Sequence, residues 1–220
     1  MVSKRLMGAW VFFDFLLLSA GIVSLVLSFV WRKPDLLINL SISNADLTAG
    51  LILGIFLIAT FFLSIGAIVQ RNYVTIGLVL LNWMLILDAL VILVIGTFIW
   101  FATLKEEDNF HARFAAQSAT NRIGIQDKLG CCGYFNLTDL VEIGGSVCSS
   151  QAAVTALNTT CVLPIIDFAD VTLNDMFTTV YGFMAVVICM FLASLCVIKK
   201  RNEDERFKKI DAKRGGKGFV

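Results

Sequence analysis

The chain has 220 residues, of which 58% are hydrophobic and 16% are charged, and its net charge is +1. Its mean hydropathy is +0.82. Soluble domains contain about 25% charged residues, and a chain of about 150 residues buries only about 70% of its surface. The composition therefore excludes a plain soluble enzyme, a disordered chain and a nucleic-acid-binding protein, and it predicts an all-α integral membrane protein.

Four windows are long and apolar enough to cross a bilayer as helices, which takes about 20 residues. They are 8–31, 48–69, 74–102 and 178–198. The first window extends to Trp31, beyond the apolar region of a cleavable signal peptide, so we expect it to be retained. The other predicted segments are an amino terminus 1–7, a small loop 32–47, a turn 70–73, a large loop 103–177 and a tail 199–220.

Basic residues are concentrated on one side of the predicted spans. The termini and the turn 70–73 carry twelve Lys and Arg against four acids, whereas the two other loops together carry six bases and eleven acids. The positive-inside rule then places both termini in the cytosol. We therefore predict a multi-pass protein of the plasma membrane or an endomembrane. Trp31, Trp100 and Phe101 lie where an interfacial aromatic belt is expected.

The large loop contains four of the six cysteines, Cys131, Cys132, Cys148 and Cys161. Four cysteines in a short non-cytosolic module indicate two disulfide bonds in an oxidising compartment, and the sequence alone leaves three pairings open. The two non-cytosolic loops also contain sequons for N-glycosylation, at Asn39, Asn136 and Asn158. Their position agrees with the orientation taken from the charges.

The run Gly130-Cys131-Cys132-Gly133, followed by Cys148 and Cys161 in the large loop before the fourth span, resembles the tetraspanins. The small first loop, the short turn and the short tails also match, so the resemblance covers essentially the whole chain. It implies a four-transmembrane-helix bundle with a small disulfide-stapled helical extracellular domain. It also implies the pairings Cys131–Cys161 and Cys132–Cys148, which we expect to be structural rather than redox-active.

The compact four-cysteine loop and short tails are similar to the fungal tetraspanins needed for host penetration by infection structures, the appressoria. The sequence departs from the family pattern next to the middle cysteine of the large loop. The usual Pro-x-Ser-Cys around the middle cysteine is replaced by Gly-Ser-Val-Cys148, which changes the expected turn but not the expected bridge.

In the family's terms the large loop divides into helical and variable parts. Lys105–Ser118 is predicted to continue the third span as an amphipathic helix, and Asn121–Leu129 to form a second helix. Pro164 is expected to open the helix that leads into the fourth span. The stretch between, Tyr134–Thr160, is rich in Gly, Ser, Thr and Asn and would be the variable, partner-facing region.

Two acids, Asp14 and Asp88, lie at predicted membrane depth together with Asn82. Such groups are functional candidates because an acid in the bilayer is costly. Counting helical rise predicts that Asp14 and Asn82 share a level joined by Thr60, with Asp88 nearer Ser24. The favoured interpretation is hydrogen bonding between helices, worth about 0.6–2 kcal/mol. The second, implied by the resemblance, is a cavity that accepts a sterol hydroxyl; no other cofactor is expected.

Two further features concern lateral packing and anchoring. Gly50 and Gly54 have GxxxG spacing, for which contacts inside the bundle are favoured over a homo-oligomer. Cys196 precedes the basic run that begins at Lys199, so it lies at the inner interface, where a palmitoyl transferase can reach it.

The sequence contains no constellation that predicts chemistry, and His111 has no neighbours at metal-ligand spacing. We therefore predict a non-enzymatic organiser that binds membrane proteins in cis, other tetraspanins and membrane lipids. A claudin-type junction protein is disfavoured because that class has its cysteine motif in the first loop. A small four-span channel or transporter is disfavoured because the four spans contain no proline that would break them.

Overall fold

The computed structural model describes residues 4–70, 75–104 and 106–213. These residues form eight helices: α1 (Lys4–Val30), α2 (Leu36–Ser41), α3 (Asn44–Val69), α4 (Ile76–Thr103), α5 (Glu106–Ala115), α6 (Ala119–Leu129), α7 (Gln151–Leu157) and α8 (Val162–Lys213). Within those ranges the β-type pairing is an isolated bridge between Gly144 and Cys148. The prediction of an all-α chain is confirmed.

Four of these helices, α1, α3, α4 and α8, are long and apolar enough to cross a membrane, as predicted. Helix α8 extends well beyond the predicted window 178–198. Its 52 residues at about 1.5 Å each exceed a hydrocarbon core of about 30 Å. It begins at Val162 rather than at Pro164, and Pro164 is tolerated there because the first turn needs no donor from its nitrogen.

The chain divides into two compact units. Unit 1 comprises Met1–Val26, Gly50–Val94 and Tyr181–Val220, and unit 2 comprises Leu27–Ala49 and Ile95–Val180. Unit 1 is built from parts of α1, α3, α4 and α8. Unit 2 contains α2, α5, α6 and α7 together with the remaining parts of the long helices.

In unit 1, α1 and α3 approach closely where both carry glycine. A Cβ at Gly21 would lie 2.7 Å from a side-chain carbon of Ile58, and one at Gly54 would lie 2.8 Å from Leu25. One turn away, the Ser24 hydroxyl donates to the Gly50 carbonyl at 2.7 Å. The GxxxG residues are thus used in contacts within the chain, which is the interpretation that the sequence favoured.

The helix ends of unit 1 are closed by side chains from other segments. The guanidinium of Arg201 donates to the carbonyl of Ile68 at 3.0 Å, in the last turn of α3. Gln70 accepts from the amide of Gly77 at 3.2 Å, in the first turn of α4. Such bonds satisfy backbone groups that a helix terminus leaves without a partner, and a cation is favourable at a carboxyl end.

In unit 2, the small loop contains a short helix, α2, that the sequence did not predict. Asp35 caps its amino terminus by accepting from the amides of Leu37 and Ile38. Arg113 of α5 donates to the carbonyls of Leu40 and Ser41, at 3.1 and 2.8 Å, at the other end of α2. Helix α2 is too short to be stable alone, so the hydrogen bonds with Asp35 and Arg113 hold it in place.

The prediction that Lys105–Ser118 continues the third span is wrong in one respect, because α4 ends at Thr103 and Glu106–Ala115 forms a separate helix, α5. Lys105 itself lies outside the described residues. The Thr103 hydroxyl donates to the Trp100 carbonyl at 2.7 Å, in competition with the backbone. The Leu104 amide then donates to the carbonyl of Phe101, the tightened bond of a final turn.

We expect Gly54→Ala to lower the thermal unfolding temperature of the purified chain. The new methyl group would lie 2.8 Å from the Cγ of Leu25 and 3.0 Å from the carbonyl oxygen of Gly21, and overpacking costs about 1–3 kcal/mol. The control is Gly66→Ala on the same helix, where a Cβ meets nothing within 4 Å. Circular dichroism during heating in detergent measures both, and equal unfolding temperatures would contradict the close contact.

Candidate functional site

The four large-loop cysteines form two disulfide bonds, Cys131–Cys161 and Cys132–Cys148. The prediction of two bridges is confirmed, and the pairs are those that the tetraspanin resemblance implies. All four residues are fully buried. The first bridge joins positions 30 apart in sequence, and closing a loop of that size stabilises by roughly 3–4 kcal/mol in the chain-entropy model.

Backbone hydrogen bonds reinforce the bridges. The Cys132 amide donates to the Thr159 carbonyl at 2.9 Å, and the Cys161 amide donates to the Gly133 carbonyl at 3.0 Å. The segments around 132 and 160 therefore run side by side, one at the end of α6 and the other at the start of α8. We call residues 106–161 the disulfide module.

Gly133, the glycine of the Cys-Cys-Gly triplet, is required by its surroundings. Its φ is +73°, and a Cβ there would lie 2.3 Å from the carbonyl oxygen of Asn136. A residue with a side chain would be strained by the backbone conformation and would collide with backbone that cannot move aside easily. The motif residue is thus explained by packing within the loop.

Gln126 is a buried residue that our sequence reasoning missed. With its terminal amide oriented so that the nitrogen faces Glu142, the Gln126 side chain donates to the carbonyl of Glu142 and accepts from the amide of Gly133, both at 3.0 Å. Its side chain is fully buried, and a buried amide without such partners would be costly. A lone Gln in the last turns of a polar helix gives no local signal of this role.

The segment Tyr134–Thr160 is more ordered than its composition suggested. It contains the helix α7, and Asp127 of α6 accepts from the amides of Ser146 and Val147, both at 2.9 Å. These two hydrogen bonds hold the pKa of Asp127 below its usual value. An ion pair between Arg122 and Glu142 fastens the same segment to α6.

His111 packs among aromatic residues on the disulfide module. Its ring stacks on Phe135 with centroids 4.9 Å apart and meets the edge of Tyr134 at 5.0 Å. Its Nε2 lies 3.2 Å from the carboxylate of Asp139. The Tyr134 hydroxyl donates to the carbonyl of Glu107 at 2.9 Å, which ties this cluster to α5.

The predicted modification sites are accessible. Asn39, Asn136 and Asn158 are exposed, and Asn158 caps the carboxyl end of α7 with a φ of 47°. Cys196 is also exposed. Their glycosylation and palmitoylation stay predictions.

The intramembrane polar residues meet different partners from those we predicted. The Thr60 hydroxyl donates to the carboxyl of Asp88 at 2.7 Å, so it does not join Asp14 to Asn82. Asp14 instead lies beside Ser64, one turn from Thr60 on the same face of α3. Counting rise from the window ends ignored helix tilt and the direction in which each side chain points, and those two quantities decide which side chains meet.

These groups are deeply packed. Asp88 has no exposed surface and Asp14 is 8% exposed, and within the described ranges one oxygen of each, and the amide oxygen of the partly buried Asn82, has no hydrogen-bond partner. A sterol hydroxyl would have to displace packed side chains to reach Asp88. The sterol site stays a prediction.

A cavity of about 470 Å³ lies in unit 2, between the end of α4 and the outer part of α8. Its apolar walls are formed by Trp100, Val171, Leu173 and Phe177, and its polar groups by Thr103, Asp170 and Asn174. Our sequence reasoning did not identify it, because each acid on α5 and α8 by itself looks like an ordinary solvated charge.

The carboxyl of Asp170, which lines this cavity, lies within hydrogen-bond reach of the Glu106 carboxyl. Partial burial and the facing carboxyl of Asp170 raise the pKa of Glu106 to about 7. Two carboxyls that face each other cannot both ionise without repulsion. One oxygen of Glu106 is buried with no partner among the described residues.

No known family model matches the chain, and no curated protein or solved structure matches it either.

We expect Gly133→Ala to destabilise the disulfide module, since the added methyl group would collide with the carbonyl of Asn136. The matched control is Gly130→Ala, where φ is +66° but a Cβ meets nothing within 4 Å. The free energy of unfolding of the control should fall only by the cost of the left-handed backbone conformation, about 1–2 kcal/mol. Thermal unfolding of both variants under non-reducing conditions measures the difference. A smaller drop in unfolding temperature for Gly133→Ala than for Gly130→Ala would contradict the predicted collision with Asn136.

We expect Glu106→Gln to flatten the pH dependence of stability between pH 5 and 8. Because folding raises the pKa of Glu106 from 4.5 to about 7, its stabilising contribution is complete at low pH and is lost as the pH rises through 7. The wild-type unfolding temperature should therefore fall over this range, and that of the variant should fall less. The control is Glu107→Gln, an exposed residue of the same helix, whose profile should match the wild type.

Proposed function

We propose that the chain is a non-enzymatic, tetraspanin-like membrane organiser that binds partner membrane proteins laterally. Its partners would be membrane proteins in cis, other tetraspanins and membrane lipids. The similarity to fungal members extends the proposal to infection-structure function in the appressorium. The charge distribution supports an orientation with both termini in the cytosol and the disulfide module outside.

The observation that carries the proposal is the disulfide module itself. Two adjacent cysteines bridge in different directions, Cys131 to the start of α8 and Cys132 to Cys148. The segment Tyr134–Thr160, which follows the third apolar helix and precedes the fourth in sequence, is thereby held as a defined surface. A rigid presented surface favours binding because less entropy is lost on association.

The surface of that segment has the composition of a binding site. Three large apolar side chains are exposed there, Phe135 at 44%, Ile143 at 53% and Leu157 at 38%. Aromatic and aliphatic side chains of this kind form the anchors of protein interfaces. The bridges and the buried Gln126 account for the stability of the module, so these exposed residues are available for a partner.

We expect the double variant Ile143→Gln, Leu157→Gln to lose captured partners while the module stays folded. Neither substitution removes a buried side chain, and neither creates a new sequon. The measurement is crosslinking in intact membranes, purification in mild detergent and mass spectrometry against the wild type.

The matched control is Leu163→Gln, which makes the same chemical change at a residue that is 66% exposed but lies outside the segment. Partners lost in the double variant and kept in the control support recognition by the module. Partners kept in both variants would contradict it and place recognition in the long helices.

A channel or transporter is the second candidate, and the buried carboxyls of Asp14 and Asp88 are the observation in its favour. Acids at such depth mark ion pathways in many membrane proteins. If crosslinking captures no partner, ion flux through the chain in liposomes, with Asp88→Asn as the comparison, becomes the next measurement.

A further inference from the structure

The cavity at the end of α4 combines an apolar wall with one carboxyl that lines it, Asp170, and a second carboxyl beside it, Glu106. Trp100 and Phe177 provide aromatic faces, and Asp170 lines the cavity next to Glu106 of α5. Cavities that are mostly apolar with a few convergent polar groups are the usual form of a small-molecule site. The chain therefore offers a place for a molecule that is apolar over most of its surface and a hydrogen-bond donor at one end.

We propose that this cavity binds a membrane lipid with a primary ammonium headgroup, the ammonium lying between Asp170 and Glu106 and the apolar body against Trp100 and Val171. An ammonium has three donors and one positive charge. It can bond to both carboxyls at once and neutralise the repulsion between them.

Other ligand classes fit the site less well. A metal ion needs more ligands, and among the described residues no three His, Cys, Asp or Glu side chains converge; the cavity of about 470 Å³ is also far larger than an ion. A sterol hydroxyl is neutral and has one donor, so it leaves the second carboxyl without a partner.

The depth of the cavity indicates a lipid rather than a soluble amine. The apolar window of α4 ends at Phe101, one residue after Trp100, so the cavity begins where the hydrocarbon is expected to end. Val171 on its α8 side is 66% exposed and Phe101 is 58% exposed. A headgroup at this level would keep its acyl chains in the bilayer, beside these apolar side chains.

The test is native mass spectrometry of the full chain in detergent at pH 8, titrated with lipids of identical acyl chains. The probes are phosphatidylethanolamine, its N-trimethylated analogue phosphatidylcholine, and phosphatidylglycerol, with cholesterol as the sterol arm. We expect phosphatidylethanolamine to bind most tightly. Asp170→Asn should weaken it by about tenfold, the size of one charge-assisted hydrogen bond.

The control is Asp167→Asn, which makes the same charge change at an exposed residue of α8 that does not line the cavity. If Asp170→Asn unfolds the chain, Glu106→Gln is the second variant, and it should also weaken the binding of phosphatidylethanolamine. Equal binding of phosphatidylethanolamine and phosphatidylcholine, tighter binding of cholesterol, or equal losses in Asp167→Asn and Asp170→Asn would overturn the proposal. The inference does not depend on whether the chain organises partner proteins.

Discussion

The disulfide module depends on one constraint, which is that two adjacent cysteines are bonded to two different segments. Cys131 holds the start of α8, and Cys132 holds the turn before α7. The end of α6 is therefore the point at which the parts of the module meet. The next position, 133, requires a glycine because a Cβ there would collide with the carbonyl of Asn136, and the Gln126 side chain accepts from the Gly133 amide. A module of this size buries so little surface that its stability is marginal, and the bridges add to it.

The long helices of unit 1 are held together by different interactions from those of the disulfide module. Lipid chains are as apolar as leucine, so helices gain little by burying apolar surface against each other in a bilayer. Close approach and hydrogen bonds have to supply the attraction instead. The glycines at 21 and 54 allow the first, and the bonds Ser24 to Gly50 and Thr60 to Asp88 supply the second.

The facing carboxyls of Glu106 and Asp170 have a different character from these packing contacts. They lie at a partly exposed site next to a cavity, where stability alone would favour neutral or oppositely charged groups. A pair of like charges placed this way is a local conflict, and such conflicts are common at functional sites. This is why the cavity, rather than the buried Asp88, is the better place to look for a small ligand.

The sequence by itself determined the four apolar helices, the helical class and the presence of two bridges. Hydropathy and cysteine spacing are properties of consecutive residues, so they can be read without knowing the fold. The predicted amphipathic helix Lys105–Ser118 likewise contains α5, whose Phe110 and Phe114 are buried, although the sequence pattern does not show the break after Thr103.

Only the tertiary structure decided the rest. Arg113, from a distant helix, holds the carboxyl end of α2, and Thr60 bonds to Asp88 rather than to Asp14 because of how the helices are rotated. Gln126 is buried by residues that follow it in the loop, and Glu106 meets Asp170 from a distant part of the chain. Most of these contacts join residues far apart in sequence, and pairings of that kind leave no periodic or compositional trace.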